Sequence, residues 1–264
     1  MGVALELIGG QTTAPGSTIT ALTANTGDSF TVRNSTPGKR CYLLDVWANN
    51  NGAGVFELKS PKMHDNVRAL RARVTTADVF PLLSMGVAQV LYPQDVLTPS
   101  LSGSSTSGKI EEAGLLLWYE DLQGEAARLI DLPTLQKRIV NMFELEVAIT
   151  PGSTGNWSGA AAINASFDTF IANTDYAIIG GMVDVKCTSV AVRGPDTGNL
   201  RVGFPGMTTQ RHMTARWFAD LSMQYGLPLI PVINSANKNG TLVDIHQNDG
   251  GSAVNVTLVL AELQ

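Results

Sequence analysis

Charge is scarce in this sequence: Asp, Glu, Lys and Arg make up 16% of 264 residues, against roughly 25% in ordinary soluble domains. Thr, Ser, Asn and Gly fill the gap, and such a surface suits extensive contact with neighbours because few ions must be desolvated on burial. Basic clusters are absent too. The net charge is −5, and the densest cationic groups are Arg68, Arg71, Arg73 and Lys137, Arg138. A protein that neutralises phosphates needs more clustered cations than that, so direct nucleic-acid binding is not expected. There are two cysteines, Cys41 and Cys187, each beside an apolar strand-like run, which reads as free buried thiols. No apolar run reaches the roughly 18–20 residues needed to span a bilayer. The start, Met1-Gly2-Val3-Ala4-Leu5-Glu6, shows no basic segment followed by an apolar one, so no secretory signal is expected. Asn-x-Ser/Thr sequons begin at Asn34, Asn156, Asn164, Asn239 and Asn255; in a chain this rich in those residues they carry no weight.

Signatures of chemistry are equally thin. The three histidines, His64, His212 and His246, lack the spacing of a zinc site, and His64-Asp65 and His212 near Asp220 read as loop or surface groups. No nucleophile elbow occurs, and neither cysteine sits in a thiolate-stabilising setting. Gly9-Gly10 and Gly180-Gly181 lack the residues that complete a phosphate-cradling loop. The acidic pairs Glu111-Glu112 and Glu120-Asp121 are not selected as a glycosidase pair by anything around them. Asp244 and Asp249, with nearby glycines, do not form a calcium loop and read as solvated loop acids. No catalytic, cofactor-binding or metal-ligating residue is assigned, no cofactor is expected, and the chain is not read as an enzyme.

What is present is a repeat, the first thing to seek in a sequence of this length. Leu117-Trp118-Tyr119-Glu120-Asp121-Leu122-Gln123 lies 141 positions before Leu258-Val259-Leu260-Ala261-Glu262-Leu263-Gln264. Leu83-Ser84-Met85 recurs as Leu221-Ser222-Met223, 138 positions on, each preceded by a Thr pair, Thr75-Thr76 and Thr208-Thr209. Val90-Leu91-Tyr92-Pro93 matches Pro228-Leu229-Ile230-Pro231, and Asp45-Val46 matches Asp184-Val185. Leu5-Glu6-Leu7 before Pro15-Gly16 corresponds to Leu145-Glu146-Val147 before Pro151-Gly152. Common order at a nearly constant offset indicates two copies of one unit.

Each copy reads as short apolar or alternating runs between Gly, Pro, Asn and Ser, the pattern of a sandwich or jelly roll. The first has strands near Ala4–Ile8, Ser29–Asn34, Cys41–Ala48, Gly54–Lys59, Val87–Tyr92 and Glu112–Tyr119. The second has them near Phe143–Thr150, Phe167–Ala172, Ala177–Lys186, Ser189–Arg193, Leu229–Asn234, Thr241–Gln247 and Ala253–Ala261. Asn49-Asn50-Asn51-Gly52 and Lys238-Asn239-Gly240 predict tight turns. Pro93, Pro228 and Pro231 belong on sheet edges or at strand ends, since proline cannot donate to a ladder. A helix is predicted over Thr214 to Gly226, with Trp217, Leu221 and Tyr225 on one stripe beside Phe218, packed on the sheet. A shorter one is expected over Thr76 to Gly86. Asp131 predicts the N-cap of a linker helix carrying Leu135, Ile139 and Met142. The expected organisation is a first jelly roll at 1–123, a docked linker at 124–142 and a second jelly roll at 143–264: an all-β chain of two tandem β-sandwich units with short helices, a double jelly-roll architecture.

With its paired Leu-Ser-Met segments, their preceding helical stretches and its paired terminal strands, the chain resembles the double jelly-roll major capsid proteins of tailless icosahedral, often membrane-containing, bacterial viruses. The resemblance is architectural and spans essentially the whole chain. It implies homotrimers whose six jelly rolls form a pseudo-hexagonal tile with sheets roughly normal to the shell. It further implies neighbouring capsomers and minor capsid or internal membrane proteins as partners, and a place in the virion after assembly in the host cytoplasm. Two alternatives stay open: a carbohydrate-active or amidase-type enzyme on paired jelly rolls, and a phage tail or receptor-binding protein.

Overall fold

The computed structural model describes residues 2–63, 69–76, 79–82, 88–123, 126–152, 155–163, 170–247 and 253–264. The first half contributes β1 (Gly2–Thr13), β2 (Thr20–Ala21), β3 (Thr23–Ala24), β4 (Cys41–Asn49), β5 (Gly54–Lys59), β6 (Leu70–Val74), β7 (Phe80–Pro81), β8 (Gln89–Leu91), β9 (Thr98–Leu101) and β10 (Ile110–Leu122). There follow β11 (Leu129–Ile130) and α1 (Leu132–Arg138). The second half contributes β12 (Ile139–Ile149), β13 (Trp157–Ala162), β14 (Asp175–Val183), β15 (Cys187–Arg193), β16 (Val202–Gly206), α2 (Arg211–Thr214), α3 (Trp217–Tyr225), β17 (Ile230–Asn234), β18 (Leu242–His246) and β19 (Val254–Leu263).

Strand pairing makes each half a jelly roll of the same topology. In the first, one sheet runs β1-β10-β4-β8 and the other β2-β9-β5-β6. In the second the corresponding orders are β12-β19-β14-β17 and β13-β18-β15-β16. In both, the first long strand pairs antiparallel with the last, Leu7 opposite Leu116 and Leu145 opposite Leu258. That pairing of chain-distant strands is the double Greek-key wrap of a jelly roll. The fold is all-β, a double jelly roll with short helices.

Alternation explains which residues fill each sandwich. Ala4 and Ile8 of β1 point into the first sandwich with Leu115, Leu117 and Tyr119 of β10 and Phe56 and Leu58 of β5. Leu145, Val147 and Ile149 of β12 do the same in the second with Val256, Leu258 and Leu260. Most of the other face of the first large sheet is covered by the second unit. Its Leu5, Leu7, Leu44, Trp47, Leu116 and Trp118 join the core of the second unit. That is why β4 and β10 read as almost unbroken apolar runs: they are covered on both faces.

Several expectations need correction. Ser29–Asn34 is not a strand; it makes a single bridge, Thr31 to Val96, and backbone bonds such as Val32 N to Asp95 O at 2.8 Å. Phe170–Ala172 is not extended into a strand, and 167–169 lie outside the described residues. Of the segment expected to be a helix over Thr76 to Gly86, Phe80–Pro81 is instead a short strand pairing with Ala48 and Trp47. Leu83-Ser84-Met85 lies outside the described residues. The linker helix ends sooner than its periodicity suggests. Asp131 caps it, Oδ1 accepting from Thr134 N at 2.9 Å, and Leu135 is its buried residue. Ile139 and Met142 already belong to β12 and are exposed, because pairing with β19 claims the backbone from Ile139 onward. Lys238-Asn239-Gly240 lies in a 3₁₀ turn over Ser235–Gly240, not a tight hairpin. Pro231 sits inside β17, one strand from the edge. Leu129 of the two-residue β11 lies opposite it, and Arg128 O takes the next free donor, Val232 N, at 2.8 Å.

Candidate functional site

The densest concentration of chemistry-bearing side chains lies in the seam between the two units. It is built by the outward residues of β1, β4 and β10 facing those of β13, β15, β16 and β18. At one end Trp47 of β4 donates from Nε1 to Ser189 Oγ at 2.8 Å and meets the Trp217 ring edge-on at 5.7 Å between centroids. Tyr225, at the end of α3, donates to Leu44 O at 2.7 Å. The aromatic stripe of that helix therefore packs across the seam as well as on its own sheet. Gly114 of β10 is required here, because a Cβ would stand 2.6 Å from Trp47 Nε1 and 2.8 Å from Ser189 Oγ.

The middle of the seam holds His246, fully buried on β18. Its Nε2 lies 3.3 Å from Glu112 Oε1 and 2.9 Å from the Asn25 amide. As placed, Asn25 Nδ2 donates to Nε2, which is then the unprotonated ring nitrogen; a proton on Nε2 would reach Glu112 only with the Asn25 amide turned to present its oxygen. The other Glu112 oxygen accepts from the Thr188 hydroxyl, which in turn accepts from Asn49 Nδ2 at 3.1 Å. Trp157 stacks beside the imidazole, 5.3 Å between centroids.

At the far end an ion-pair ladder crosses from one unit to the other. Arg201 donates from Nη1 to Asp28 Oδ1 at 2.8 Å and from Nε to Asp244 Oδ2 at 3.2 Å. Arg193 donates to the same Asp244 oxygen at 2.5 Å. Asp28 also accepts from Trp157 Nε1 at 2.6 Å and Gly9 N at 2.7 Å, while the Arg201 guanidinium lies over the Trp157 ring at 4.9 Å. A backbone bond, Leu7 N to Arg201 O at 2.7 Å, ties β1 itself to the second unit. The arrangement satisfies buried charges pairwise, as burial demands.

Burial pushes the Asp28 carboxyl above its ordinary value of 3.8, against the opposing pull of Trp157, Gly9, Arg201 and His246. Burial likewise raises Glu6, inside the first sandwich, although Arg33 and Tyr119 bond it. A carboxyl with a raised folded-state pKa contributes stability that is fully present below the unfolded value and lost as pH rises through the folded one. The stability gap between the native protein and Asp28→Asn is therefore expected to narrow as pH rises from about 3.8. Urea titrations of both proteins between about pH 3 and 7 check this, and a gap that widens with pH contradicts it.

Sequence reasoning did not select this site. Asp244, read as a solvated loop acid, is buried on β18 between two arginines. Glu111 and Glu112, an unremarkable pair in sequence, are both fully buried. Glu111 accepts from Asn51 N and Ser104 N, each at 2.6 Å, and so locks the β4–β5 turn. His212 is exposed in α2, and His64, Asp65 and Asp249 lie outside the described residues. Cys41 and Cys187 are free, buried thiols pushed up by burial. Among the described residues no group of three or more His, Cys, Asp or Glu is placed to hold a metal ion, and no helix is long and apolar enough to cross a membrane. The one available sequence signal was the run Ser189–Arg193 with Leu242–His246, whose outward positions carry Ser189, Arg193, Asp244 and His246. Polar residues repeated on one face of two apolar strands point to a wet face or a polar interface, and only the tertiary structure distinguishes these.

No family model matches the chain, and no curated protein matches it. Among solved structures it is similar to the major capsid protein P2 from bacteriophage PM2, with 5% identity, a TM-score of 0.23 and coverage of 99% of this chain and 98% of that one. It is also similar to the STIV MCP, with 8% identity, a TM-score of 0.20 and coverage of 99% and 97%. A third is the PBSX exported protein XepA, with 10% identity, a TM-score of 0.18 and coverage of 94% and 86%. The double jelly-roll architecture itself rests on the strand order of the two units, β1-β10-β4-β8 repeated as β12-β19-β14-β17.

Proposed function

We propose that this chain is a structural subunit of a virus shell, the major capsid protein of a tailless icosahedral bacterial virus, working as a homotrimer of pseudo-hexagonal outline. The observation that carries the reading is the seam. Two jelly rolls of one topology are locked together by buried aromatic, hydrogen-bonded and ionic contacts, so the chain acts as one rigid two-module tile. His246, Glu112, Asp28 and Asp244, the groups an enzyme would use, are enclosed between the units, His246 against Glu112 and both aspartates on Arg201. An enzyme on paired jelly rolls would keep such groups in an open cleft.

On this reading the partners are two further copies in the trimer, neighbouring capsomers and minor capsid or internal membrane proteins. Direct nucleic-acid contact is not expected at a net charge of −5. The location is the virion, after assembly in the host cytoplasm. Light scattering after size exclusion, followed by negative-stain microscopy, tests it. The expected result is a trimer, with sheets or shells of three-lobed or six-lobed tiles at high concentration. A protein that stays monomeric at every concentration overturns the reading.

A further inference from the structure

The two units of one chain do not present equivalent surfaces. The outward face of β1, β10 and β4 in the first unit is covered by the outward face of β15 and β16 in the second. In the second unit the sheet matching that covered face is β12-β19-β14-β17, and its β12 side is bare among the described residues. Met142, Glu144, Glu146 and Ala148 are exposed along one face of β12, Met142 by 52%, with Thr257 and Val259 of β19 beside them. β12 is also the edge of its sheet, whereas β1, its counterpart, carries β3 and the bond to Arg201 O on its outer side. The sheet matching β13-β18-β15-β16 is β2-β9-β5-β6 of the first unit. Its outward face presents Val55, Lys59, Arg71 and Arg73, with both arginines exposed.

We infer that the bare β12 face of one copy docks on the β5–β6 face of a second copy of this chain, repeating between chains the contact that joins the two units within a chain. The inference rests on the shell-subunit reading and specifies which surfaces build its trimer. Charge identifies the occupant. Glu144 and Glu146 stand two residues apart on one face of one strand, and Arg71 and Arg73 stand two residues apart on one face of another. Each pair is thus separated by about 7 Å, so acids and cations match in spacing. Glu144, Glu146 and Arg73 have no ion-pair partner among the described residues, while Arg71 holds the buried Glu57 together with Lys59. The exposed apolar groups Val140 and Met142 extend the acidic stripe, giving the mixed apolar and polar composition of a subunit interface. The contact is heterologous, so each copy keeps one free surface of each kind until a ring closes. Under the reading above the ring closes on three chains.

The test compares the full chain with Glu144→Lys/Glu146→Lys, with Arg73→Glu and with the combination of all three, by light scattering across a dilution series at low salt. Placing like charges opposite one another is expected to raise the concentration at which trimers dissociate by about 100-fold in Glu144→Lys/Glu146→Lys. The combined variant is expected to recover part of that loss, because Arg73 has changed sign opposite the new lysines while Arg71, which holds Glu57, has not. Circular dichroism checks that the exposed substitutions leave the fold intact. If the native protein is trimeric and Glu144→Lys/Glu146→Lys dissociates at the same concentration as the native chain, this interface is wrong. The glutamates then serve only to keep an edge strand from aggregating, and the shell reading stands. A native protein that never trimerises overturns both.

Discussion

Replacing Arg201 by methionine is expected to cost about 3–5 kcal/mol of stability, the scale for breaking a buried ion pair from one side. Its guanidinium lies between Asp28 of the first unit and Asp244 of the second, and both carboxylates are buried. Asp244 keeps Arg193, but Asp28 loses its cation and keeps the neutral donors Trp157 Nε1 and Gly9 N. Because the ladder crosses the seam, the loss should also appear as a loss of cooperativity. The native chain is expected to unfold in one urea transition and the variant in two, one per jelly roll. Adding Asp28→Asn to Arg201→Met is expected to return part of the lost stability by removing the stranded charge. A fall below about 1 kcal/mol, with a single transition retained, would show that the ladder does not couple the units.

Trp47→Ala attacks the same seam from its apolar end and is expected to cost about 3–5 kcal/mol. The side chain is fully buried, touches Trp217 edge-on and bonds Ser189. Trp47→Phe separates these contributions. It keeps a six-membered aromatic ring against Trp217 but removes the indole donor and the second ring, so about 2–3 kcal/mol is expected, less than for Trp47→Ala. Denaturant unfolding read by near-ultraviolet dichroism checks both, since a loosened Trp47–Trp217 contact alters that signal. Equal losses for the two variants would mean that the hydrogen bond and second ring of the indole, and not the phenyl-sized part of the contact, hold this end together.

Both variants lie outside any sequence motif, and that bears on what a sequence of this kind can reveal. The repeat was legible because each unit reuses the same apolar runs, and covered strands must be apolar wherever they occur. Cys41–Ala48, Gly54–Lys59 and Thr241–Gln247 could be read nearly to the residue for that reason. The strands that escaped are short or carry Gly and Ala. β16, Val202-Gly203-Phe204-Pro205-Gly206, has glycine where a Cβ would press on the backbone oxygen of Val190 in the neighbouring strand and on Leu7 Cδ2 of the other unit at 2.5 Å. Both demands come from outside the strand itself and leave no local trace.

The amino-acid sequence by itself determined the all-β class, the two-fold repeat, the Asp131 cap and the amphipathic helix ending at Gly226, where a positive φ of 65° favours glycine. All of these follow from interactions within a few residues or from the period of a strand or helix. Which face of each sheet would be covered was decided only by the tertiary structure. Leu7 and Val259 are both apolar strand residues, yet one is buried beneath the second unit and the other is only partly buried beside the bare β12 face. Asp244 and Glu146 are both strand acids, yet one is enclosed between two arginines and the other faces outward. Local sequence sets a side chain's direction along its strand. Whether that direction ends in water, in an ion pair or against another module depends on contacts more than a hundred residues away, such as Asp28 with Arg201.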